Sequence, residues 1–163
     1  MWYSFAMKKR AHDIDELKKR LIEIGYLGAA LGLMHWDQEV NMPKKAADGR
    51  AASLSHLSGL FHQQCIALNA GGLLSGLKKQ VEKGILRGAS AVIVNETWRS
   101  FEREKKLPER LVRELSAATS KAQQVWAEAR AKNNFGLFLP WLSKSQDFLY
   151  GLDFSKRYLL LDL

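Results

Sequence analysis

Apolar residues return every three or four positions along most of this chain, and the interruptions fall at proline, glycine and asparagine. The first run is Ile14, Leu17, Leu21, Ile24, Leu27, Leu31 and Met34, the period of an amphipathic helix. Asp13, with Glu16 three residues on, reads as its N-terminal cap. Residues 25–34 carry no charge, so the second half of this helix is expected to be covered on most sides, with Trp36 largely buried against the next helix. Met42-Pro43 ends the run, because the residue before a proline is pushed out of the α region. A second helix is predicted from Lys44 to about Leu68. It has Leu54, Leu57, Phe61, Cys65 and Leu68 on one face and Ser, His and Gln on the other. Asn69, Ala70, Gly71 and Gly72 stop it, and a short amphipathic piece follows over 73–82.

Beyond Gly84 and Gly88 a helix over 89–106 is predicted, turning Ala91, Val94, Trp98 and Phe101 inward. Residues 91–94 alone would also suit a buried strand, but their polar helical continuation argues for helix. Leu107-Pro108 closes this element and opens another, since proline suits the first helical position. Leu111, Leu115, Ala118, Ala122, Val125 and Ala129 carry that helix to about Lys132, and Asn133-Asn134 breaks it and caps a last one from Phe135. Tandem helices with short connections predict an all-α fold, a bundle of about five to six helices in one domain over 1–163.

Composition sets the class. A chain of 163 residues can bury a sizeable core, and 47% apolar with 26% charged residues is globular. The net charge of +8 speaks to solubility and non-specific attraction rather than to fold. Its most basic clusters, residues 8–10 and 18–20, are interrupted by Asp13, Asp15 and Glu16, and no nucleic-acid-binding module is recognisable. Cys65 is the only cysteine, which excludes an internal disulfide and suits a reducing compartment. The first ten residues place their basic side chains after a short apolar run, the reverse of a secretory signal. No run of about 18 apolar residues exists to span a membrane. The expectation is a cytoplasmic protein with no membrane and no nucleic-acid partner.

Reactive side chains are sparse. His56 and His62 are six residues apart, about 240° around a helix, whereas a helical zinc pair needs a spacing of four. His12 and His35 complete the histidines. His35, Asp37 and Glu39 would share one side only in an extended segment. The competing reading is that Asp37 or Glu39 pairs with Arg50, or satisfies free amide donors where the second helix starts. Cys65 falls on an apolar helix face, Ser53, Ser55 and Ser58 lack a glycine-flanked elbow, and residues 71–76 lack the lysine of a phosphate loop. From the residues themselves no active site emerges.

Around the break sit Trp36, Asp37, Gln38 and Glu39, then Met42-Pro43, then Arg50. That run resembles the N-terminal signature of the thermostable (Taq-type) zinc carboxypeptidases. A second block is similar to the same family: residues 106–109, Ala118-Thr119-Ser120, Trp126, Ala129-Arg130 and residues 135–140. The resemblance fades over a divergent tail, 149–163, and suggests a truncation, a frameshift or a divergent ending. It implies an all-α fold and, for the intact family enzyme, removal of C-terminal residues from peptides by a zinc held in a His-Glu-x-x-His helix. No His-Glu pair occurs here. The chain is therefore expected to be the N-terminal wall or lid region, inactive by itself, with no cofactor of its own. No catalytic or metal-binding residue carries over. Trp36, Asp37, Gln38, Glu39, Met42, Pro43, Arg50, Trp126 and Arg130 match the family pattern and are expected to be structural. The alternative is a free-standing helical interaction or dimerisation module. Either way, exposed apolar surface would lead to self-association or to pairing with a full-length relative.

Overall fold

Nothing in the first forty residues halts a helix: they contain no proline, and Ala, Leu, Met, Lys and Arg abound. In the computed structural model, which describes the backbone of residues 2–151 and the side chains of residues 12–146, helix α1 accordingly runs unbroken over Trp2–Val40. This corrects the start expected at Asp13, since a capping pattern does not interrupt a sequence that continues to favour helix upstream. The other helices are α2 (Ala47–Ala67), α3 (Leu73–Glu82), α4 (Gly88–Glu104), α5 (Glu109–Ala131) and α6 (Leu139–Gly151). Single 3-10 turns occupy Lys44–Ala46, Ala70–Gly72 and Phe135–Leu137, and no strand occurs among the described residues. The fold is all-α, as the periodicity predicts. The last helix begins later than expected. Asn133 takes a positive φ of 48°, the 3-10 turn follows, and α6 opens with Pro140 in its first turn, where a missing N–H costs nothing. The divergent tail lies outside the described residues except for the last turn of α6.

Helix α2 lies between α1 and α5 and runs antiparallel to both. Against α1, Arg50 reaches Met34 and Asp37 at one end while Arg20 reaches the Ala67 carbonyl at the other. Against α5, Asp48 pairs with Lys121, Ser55 bonds the Arg113 carbonyl and Gln63 bonds Glu109. The main core gathers Ile14, Leu17 and Ile24 of α1, Leu68, Leu74 and Leu77 around α3, and Val94 and Phe101 of α4. Leu17, Leu54, Leu74, Leu77 and Val94 are fully enclosed, each burial contributing about 1.5–3 kcal/mol. Trp98 packs against this core beside Phe101, with ring centroids 5.6 Å apart.

Two expectations about exposure fail for one reason, the shortage of partners around α1. Its inward arc meets α2, α3 and, through Gln38, α5, while the large apolar side chains of the opposite arc stay exposed. The charge-free stretch 25–34 is thus not covered on most sides: Tyr26 and Leu33 are exposed. Trp36 is 56% exposed rather than buried against α2. Successive helical residues turn about 100°, so with Gln38 buried, Trp36 two positions earlier points away. The polar face of α2 departs the other way. It is not left to solvent but packs on α4 and α5, where its Ser, His and Gln side chains find hydrogen-bond partners. Gly59 lies at this contact under the Arg113 guanidinium, where an added Cβ would make that side chain shift.

Candidate functional site

The end of α1 is built by the proline break. Pro43, with φ −62° and ψ 141°, cannot continue a helix. The chain closes α1 by letting the Asp37 carbonyl accept the N–H groups of both Asn41 and Met42 at 2.9 Å. The Pro43 carbonyl then accepts from Ala46 at 2.9 Å, opening the turn into α2. This reversal brings Arg50 back beside α1. Its guanidinium donates to the Met34 carbonyl and to Asp37 Oδ2, tying α2 to the last turns of α1 and neutralising the acid in the same fork.

One residue further, α1 reaches across to α5. Gln38 Nε2 donates to the Ser120 carbonyl and to Gln123 Oε1, both at 2.9 Å, and Ser120 Oγ donates to Gln38 Oε1 at 2.7 Å. Gln38 and Ser120 are both buried, so every one of these groups would cost free energy if left unpaired. Asp37 and Gln38, adjacent in sequence, thus tie the end of α1 to two different helices, α2 and α5. Sequence reading raised the Asp37–Arg50 pairing as one of two options. It gave no partner for Gln38, because Ser120 and Gln123 stand more than eighty residues away and carry no distinctive signal.

The remaining signature positions divide. Met42 is half-buried under the turn, while Trp36, Glu39 and Pro43 are exposed. Trp126 and Arg130 lie on the exposed side of α5, with the guanidinium 5.4 Å from the indole centroid. The signature residues therefore do not converge on a single cleft.

Elsewhere, buried His62 places Nδ1 2.9 Å from Glu104 Oε2, at the edge of an open cavity of about 440 Å³ floored by Ile66, Ala67 and Leu107. Cys65 is nearby. Burial, reinforced by the Glu104 charge, pushes its thiol up to about 11, so it is protonated at neutral pH and is no nucleophile. The donor set does not fit zinc. Among the described residues no three His, Cys, Asp or Glu side chains gather, whereas a catalytic zinc needs three protein ligands and an open position. Asp37 is engaged by Arg50, His62 by Glu104, and His56 by Arg113 at 3.3 Å.

The family described as carboxypeptidase Taq (M32) metallopeptidase matches residues 16–149. The chain belongs to that family. Thermostable carboxypeptidase 1 of Thermus thermophilus is 33% identical over 141 residues, covering 86% of this chain and 27% of the relative. Thermostable carboxypeptidase 1 of Pyrococcus furiosus is 34% identical over 136 residues, covering 80% and 26%. Among solved structures, one described as the BsuCP crystal structure superposes with a TM-score of 0.77 at 28% identity, over 84% of this chain and 27% of that one. Trypanosoma cruzi metallocarboxypeptidase 1 gives 0.60 at 32% identity, over 82% and 26%. The chain spans about a quarter of the length of the relatives it matches. No helix among the described residues is long and apolar enough to cross a membrane.

Proposed function

We propose that this chain is the N-terminal helical section of a zinc-dependent metallocarboxypeptidase, that it cleaves no peptide by itself, and that its signature residues serve architecture. The observation that carries this reading is the engagement of Asp37, Gln38 and Arg50. These side chains, among the best suited in the signature to act on a substrate, are used up joining the end of α1 to α2 and α5. Met42 and Pro43 shape the turn that makes the joint possible, and Trp36, Glu39, Trp126 and Arg130 face outward from it. Removal of C-terminal residues from peptides belongs, on this reading, to a family-length enzyme whose zinc ligands come from other residues. A reducing, cytoplasmic setting accords with the lone Cys65. The test is an assay of C-terminal residue release from peptides with zinc or cobalt added. The expected result is no release above blank, and release abolished by a chelator contradicts the proposal.

A further inference from the structure

We draw no further inference here: the strongest candidate, the open cavity of about 440 Å³ where buried His62 of α2 meets Leu107 and Glu109 at the α4–α5 corner, carries nothing, because the chain spans about a quarter of the length of its relatives and nothing in the structure shows what occupies or covers it.

Discussion

Cys65 illustrates how neighbours set the chemistry of one residue. Its thiol lies half-buried against the main core, with the Glu104 carboxylate close enough to oppose a thiolate. Both effects disfavour the charged form, so the folded value rises to about 11 from about 8.5 in an unfolded chain. A group raised in this way contributes stability that is complete below the unfolded value and is lost as pH climbs toward about 11. Alkylation by iodoacetamide at pH 8 should therefore be at least tenfold slower in the native chain than in denaturant; equal rates would remove the burial argument. The sequence placed Cys65 on an apolar face correctly, because periodicity reports burial. It could not report Glu104, which a different helix supplies. Trp36 marks the opposite limit. A large aromatic beside a charge-free stretch reads as core, but its angular position relative to Gln38 decides where it points, and that depends on which neighbour holds the helix end.

At the scale of elements, the seam between α2 and α5 is polar and partly ionic. The ammonium of Lys121, bonded at 2.7 Å, holds Asp48 below the usual carboxylate range. The Gln63 amide and then the Arg113 guanidinium do the same for Glu109. With folded values below unfolded ones, the unfolded chain takes up protons first as pH falls. The seam's contribution is thus present at neutral pH and is lost as pH drops through about 4 and below. Melting temperature followed from pH 7 to pH 3 should fall, and Asp48→Asn with Glu109→Gln should flatten that fall. An unchanged slope in the double variant would show the pairs to be incidental. Salt should shrink the same difference, since both acids are solvent-accessible and screened. Most helices were legible from apolar spacing and from Pro43, Gly71, Gly72 and Pro108, all of which interrupt the period where the chain turns. The polar contacts between α2 and α5 were not: serine, histidine and glutamine on a helix face look alike whether they meet water or another helix.

For the whole molecule, the account places the signature's function in holding three helices together at one joint. The family's N-terminal pattern was readable because two separated blocks keep their order and spacing. The roles within it were unreadable because Asp37 and Gln38, neighbours in sequence, serve two different helices, one of them through residues over eighty positions away. The unfolding free energies of Gln38→Ala, Arg50→Ala and Trp36→Ala, measured by chemical denaturation, test this most directly. The account predicts losses of about 1–3 kcal/mol for Gln38→Ala and for Arg50→Ala, from buried partners left unpaired, and a change within about 0.5 kcal/mol for the exposed Trp36. Gln38 and Arg50 variants as stable as the parent, with Trp36→Ala severely destabilised, would contradict it.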